Sequence, residues 1–165
     1  MAGMISGDAG PGIRRMLLLD LLGALAVNAG VFPILLWQAG LAPPSGPFGA
    51  GGGLSDAVKA VAFPVGLMTV IMTLVLRARF RRTPPGGVIV PRPFALVPRN
   101  LVLRTTLFIV VAVIVLTPLR LGACVLFGLY PLSELGFSAL NVASGIVIAL
   151  VVMPPIFLAA LADAR

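Results

Sequence analysis

Histidine is absent from the 165 residues, cysteine occurs once, and only five residues are acidic. Without histidine the chain lacks the commonest metal ligand and general base. A single cysteine, Cys124, excludes an internal disulfide and a CxxC redox pair, and it reads as a small core residue. No nucleophile elbow, HExxH, P-loop or neighbouring pair of carboxylates occurs. The expectation is therefore no catalytic residue, no metal site, no cofactor and no enzymatic activity.

Charge as a whole is also scarce. Charged residues make up 10% of the chain and hydrophobic ones 59%, where a soluble domain carries roughly 25% charged residues. A polar shell cannot be built from so little. Lipid is the alternative solvent, and in it apolar runs need no polar cover. The expected fold class is an all-α integral membrane protein with four transmembrane helices arranged as two hairpins.

Acids are missing altogether between Asp56 and Glu134, while arginines crowd into residues 77–104. The run is Arg77, Arg79, Arg81, Arg82, Arg92, Arg99 and Arg104, and it separates two apolar halves. A net charge of +7 also suits nucleic acid. Nucleic acid, however, would call for aromatic residues among the basic ones, and Phe80 and Phe94 are too few. The arginines instead sit at the ends of apolar runs, where they read as topology signals and headgroup contacts. Arg77, Arg79, Arg81, Arg82, Arg92 and Arg99 are the candidate lipid-headgroup contacts. Arginine far exceeds lysine, which occurs only at Lys59. That bias suits a GC-rich bacterial genome and hence a bacterial inner (plasma) membrane.

The expected layout is a cytoplasmic N-terminal tail (1–15), a first transmembrane hairpin (16–76), a basic cytoplasmic loop (77–100) and a second transmembrane hairpin (101–165). Its spans cover about 16–39, 57–76, 101–119 and 135–161. The first would be about 36 Å long as a helix, enough for a core of about 30 Å. A signal peptide is its rival, given Arg14, Arg15 and small residues at Ala24, Ala26 and Ala29. Asp20 and the continuation to Trp37 argue against that; Trp37 and Gln38 suit the far interface. Residues 121–130 are too short to cross alone. They extend the third helix, lie on the surface or dip back, and the sequence does not choose. Arg14, Arg15, the loop arginines and Arg165 fall on one side, against Lys59 and Arg120 on the other. Positive residues stay in the cytoplasm, so both termini are expected there.

Several polar residues fall inside these spans. Asp20 reads as an interface carboxylate paired with Arg14 or Arg15, with a proton-carrying site as the alternative. Asn28, Asn141 and Ser144 are candidate intramembrane polar contacts, because an amide in hydrocarbon needs a partner on another helix. Small residues accompany them: Ala26 with Gly30, Ala24 with Asn28, and Asn141 with Gly145 and Ala149. Pro33, Pro64 and the pair Pro154–Pro155 are expected bends. Residues 108–115 carry no polar group and are expected to meet lipid.

Residues 40–54 read as a flexible Gly- and Pro-rich loop. Ser55 then looks like an N-cap with Asp56 in the first turn, and Ser133 with Glu134 looks the same. This likeness suggests a parallel internal repeat, with chance capping as the rival. Asp56, Arg120 and Glu134 form a candidate outer-rim ion-pair group in which Arg120 joins one of the two acids. The expected partners are a bilayer with anionic headgroups and either further copies of the chain or a larger membrane complex. Nucleic acid is not among them. A non-enzymatic accessory or structural membrane component is the leading functional expectation; a small-solute or ion transporter or channel is the alternative.

Overall fold

Segments this apolar can satisfy their backbone only by coiling it, and the computed structural model is all-helical over its described residues. Those residues are 11–31, 34, 46–47, 53–82 and 90–164. The helices are α1 (Pro11–Ala26), continued by a π-helical turn (Val27–Val31), α2 (Gly53–Arg82), the short α3 (Arg92–Ala95), α4 (Leu101–Leu126) and α5 (Glu134–Asp163). Three of them, α2, α4 and α5, are long and apolar enough to cross a membrane. The expected features at Pro33, Trp37 and Gln38, most of the 40–54 loop and the first ten residues lie outside the described residues.

Helix ends depart from the sequence expectations for identifiable reasons. The first helix opens at Pro11 rather than at residue 16, so Arg14 and Arg15 are helical. A proline costs little in a first turn, whose N–H groups have no intrahelical acceptor. The second helix opens at Gly53, which puts Ser55 inside the helix instead of at its cap. The amides of Gly53 and Leu54 donate instead to the carbonyls of Gly46 and Pro47, at 2.8 and 2.9 Å. Ser133 does cap α5, accepting from the Gly136 amide. The two Ser–acid pairs therefore occupy different places, and the likeness behind the proposed repeat does not extend to structure.

The second helix also continues past residue 76 to Arg82, carrying Arg77, Arg79, Arg81 and Arg82 in its last turns. Cations there complement the partial negative charge of the terminal carbonyls. The fourth begins at Leu101, where the Asn100 side chain accepts from the amides of Val102 and Leu103. It runs on to Leu126, so residues 121–126 extend the helix. Gly128 ends it, with φ +60°. The Gly128 amide donates to Val125 and the Leu129 amide to Cys124, the paired bonds of a glycine-terminated helix. α5 stays helical through Pro154 and Pro155.

In this bundle α2 packs against both α4 and α5, and α1 packs on α5. The two helices joined by the last turn, α4 and α5, touch each other far less. The core is assembled mainly on α5, through Ile148, Ala149, Val152, Met153, Ile156 and Phe157. Phe80 of α2 meets Phe157 edge to face, ring centroids 5.7 Å apart. The central loop is anchored at its described end. Val90 and Phe94 pack against the core, while Arg92 and Arg99 remain exposed.

Helix α4 is inside out by the standards of a soluble protein. Ile114 is 66% exposed and Leu119 61%, whereas Arg104 is 0% and Arg120 7% exposed. Leu107, Val110, Val111 and Val115 share the outer side, while Ala112 faces in. α1 and its π-helical continuation repeat the pattern, with Leu18, Leu19 and Leu22 outward and Asp20 and Asn28 inward. Such faces are stable only where the surroundings are apolar and the interior supplies polar partners.

The π-helical turn that continues α1 comes against α5 at Gly145. A Cβ there would lie 2.2 Å from the Asn28 carbonyl oxygen, so the backbones touch through the missing side chain. The expected Ala26–Gly30 face points away instead: Ala26 and Gly30 are exposed, while Ala24 and Asn28 are buried. Gly145→Ala should force the helices apart and cost about 1–3 kcal/mol. Gly30→Ala, facing open space, should stay within about 0.5 kcal/mol of the native protein. Thermal unfolding in detergent measures both.

Candidate functional site

Polar side chains gather at two levels of the bundle. On α4, Arg104 and Arg120 are separated by about 24 Å of helix. On α2, Asp56 and Arg77 are about 31 Å apart, and on α5 Asn141 and Asp163 about 33 Å apart. Three helices thus bring polar groups together at two layers whose spacing matches a hydrocarbon core of about 30 Å.

At one layer the centre is Arg120. Its Nη2 donates to Asp56 Oδ2 at 2.7 Å and to Asn141 Oδ1 at 2.9 Å, and its Nη1 donates to Ser144 Oγ at 2.9 Å. The Ser144 hydroxyl in turn donates to the Leu140 carbonyl at 2.7 Å. One guanidinium therefore joins α2, α4 and α5. Of the two acids offered to Arg120 by sequence, Asp56 is its partner; Glu134 is exposed and takes part in no ion pair among the described residues. Beside this layer, Tyr130 Oη sits where a Cβ on Gly53 would be, so the last turn is seated on the start of α2. Burial pushes the Tyr130 phenol above the usual tyrosine range, and the neighbouring Cys124 thiol is the next cause.

At the other layer Asp163 takes two arginines. Arg77 Nε donates to Oδ2 at 2.8 Å and Arg104 Nη2 to Oδ1 at 2.9 Å. The same arginines hold the central loop, Arg104 Nε donating to the Pro98 carbonyl at 3.0 Å and Arg77 to that of Arg99. Arg104 keeps one buried nitrogen, Nη1, without a partner among the described residues. Nothing in the sequence singled out Asp163. Its only cue is that an acid lies within a helix length of Asn141, at the level where the arginines collect.

Asp20 is not joined to Arg14 or Arg15. It accepts two bonds from Arg79 Nη1, both at 2.9 Å. Arg14 and Arg15 are exposed on the outside of α1, whereas Arg79 reaches the buried carboxylate from α2. Among the candidate headgroup arginines, Arg77 and Arg79 are therefore held by acids. Arg81, Arg82, Arg92 and Arg99 are exposed and make no ion pair among the described residues.

Asn28 and Asn141 both face inward but do not meet. Asn28 Nδ2 donates to the Ala24 carbonyl at 2.8 Å and lies 3.4 Å from Met68 Sδ; its buried Oδ1 has no partner among the described residues. Beside it a cleft of about 290 Å³ opens between α1 and α2, apolar apart from Asp20 and Asn28. A smaller one, about 170 Å³, lies between α4 and α5 with Arg120 and Ser144 in its wall. A cavity of about 500 Å³ at the Asp163 layer is lined by Arg77, Phe80, Arg81, Arg99, Ala160, Asp163 and Ala164. No group of three His, Cys, Asp or Glu able to hold a metal ion occurs among the described residues.

No family model matches the chain, and neither does any curated protein or solved structure. The fold and its wiring define a helical membrane protein, and the class rests on the chain's own residues.

Asp163→Asn should cost about 3–5 kcal/mol, because it strands the fully buried Arg104 without a counter-charge. Glu134→Gln should stay within about 0.5 kcal/mol. Denaturant titration of the protein in mixed micelles checks the contrast.

Proposed function

We propose that the protein is a four-span inner-membrane component with both termini and the basic loop in the cytoplasm, acting as a non-enzymatic accessory or structural part. The observation that carries this reading is the engagement of Arg120 with Asp56, Asn141 and Ser144. Two of the polar groups expected at membrane depth, Asn141 and Ser144, are consumed with the rim acid Asp56 in fastening one helix to two others. A bundle wired in this way is a rigid body presenting aliphatic faces to lipid. The placement of Arg14, Arg77, Arg79, Arg81 and Arg82 at one end supports the cytoplasmic assignment.

A transport reading has one observation in its favour: Asn28 Oδ1, without a partner among the described residues, beside the cleft that also contains Asp20. Under that reading Asn28→Leu abolishes solute movement in vesicles. Under the structural reading it leaves the vesicles unchanged and weakens the fold only by about 0.6 kcal/mol.

Reporter fusions at Gly12, Gly51, Gly87 and Arg165 should read inside, outside, inside and inside. An outside reading at Gly87 overturns the layout. Purification in mild detergent should recover a stoichiometric partner if the protein is an accessory subunit, and a homo-oligomer alone would favour transport.

A further inference from the structure

We infer that the cavity of about 500 Å³ between the ends of α2 and α5 binds a phosphate group, carried either by an anionic lipid headgroup or by a free phosphate ester. The inference rests on the reading of this end as the cytoplasmic membrane face and gives that face a specific ligand. Its volume lies within the range of small-molecule sites, roughly 300–1,000 Å³, and is roomier than a bare phosphate needs.

Charge identifies the ligand. Arg77, Arg81 and Arg99 line the cavity, and Asp163 is the one acid in its wall. That acid is already shared between Arg77 and Arg104. Arg81 and Arg99 make no ion pair among the described residues. Arg104, behind Asp163, is 0% exposed, and its Nη1 has no partner among the described residues. Among the described residues the cluster thus leaves the buried Arg104 Nη1 without an acceptor and the exposed Arg81 and Arg99 guanidinium groups without a counter-charge. Two helix C-termini point here as well, each worth roughly half a negative charge. These do not cancel four arginines offset by one aspartate. A phosphate supplies the missing acceptors, in the geometry that guanidinium groups match best.

The position is built rather than accidental. Arg77 is held by Asp163 and by the Arg99 carbonyl, so the loop that carries Arg99 is tied to the helix that carries Arg81. The two free guanidinium groups therefore flank a fixed acid–arginine floor.

The test uses the full chain in an uncharged detergent and native mass spectrometry. The probes are phosphatidylglycerol, phosphatidylcholine of the same acyl chains, and glycerol 3-phosphate. Phosphatidylglycerol should be retained in preference to phosphatidylcholine. The double variant Arg81→Gln/Arg99→Gln should weaken that retention by about tenfold or more, the scale of two charge-assisted hydrogen bonds. Arg82→Gln/Arg92→Gln removes two exposed arginines outside the cavity and should change it by no more than about twofold. Displacement of the lipid by glycerol 3-phosphate identifies a soluble ester as the ligand; retention of the lipid alone identifies a headgroup. Equal losses in the two double variants, or no preference for either phosphate probe, overturn the site. Because detergent binding does not depend on orientation, reporter fusions on the same variants separate this failure from a wrong topology.

Discussion

A charged side chain inside an apolar medium must find a partner, and that constraint arranges this bundle. Arg104 and Arg120 sit on the helix with the most exposed aliphatic surface, yet both turn inward. Left alone, each would carry a desolvation cost of several kcal/mol. Each instead meets an acid from another helix, Asp163 of α5 for Arg104 and Asp56 of α2 for Arg120. Aspartate and arginine are thereby placed so that helices that hardly touch, α4 and α5, are joined through polar atoms. Hydrophobic burial cannot do this in lipid, where the surroundings are as apolar as leucine.

The two layers have different characters. The Arg120 layer is balanced: one cation, one acid, an amide and a hydroxyl that itself donates onward. The Asp163 layer has surplus positive charge and borrows backbone carbonyls from the loop to use it. This asymmetry gives the bundle a direction, with a closed neutral end and an open basic one. Packing between the layers is mostly aliphatic, and the Gly145–Asn28 approach sets how closely α1 lies on α5.

The membrane class and the approximate helix centres were legible because composition and apolar run length carry them. Helix ends were less so. Ser55 has the chemistry of a cap, but the carbonyls of Gly46 and Pro47 reach the first amides of α2, a tertiary choice that local pattern does not encode. The end of α4, past the expected 119, falls where Gly128 is followed three residues later by Pro131, a local signal that the open reading of residues 121–130 leaves unused, and the paired bonds at that glycine show how it works. Arginine partners were the hardest to read. Sequence proximity suggested Arg14 or Arg15 for Asp20, but neighbours on one helix face in different directions, and the carboxylate is met across the interface by Arg79. Asp163 went unnoticed because its importance comes from level rather than from any local motif.

The most direct test of this account is a double-mutant cycle on Arg120 and Asp56, using Arg120→Met and Asp56→Leu with unfolding followed in bicelles. If the guanidinium joins the helices, each single change destabilises by about 3–5 kcal/mol because it strands the other charge. The double change should then recover much of that loss, with a coupling of at least about 1.5 kcal/mol. Additive effects, with no coupling, would contradict a bundle fastened through this pair.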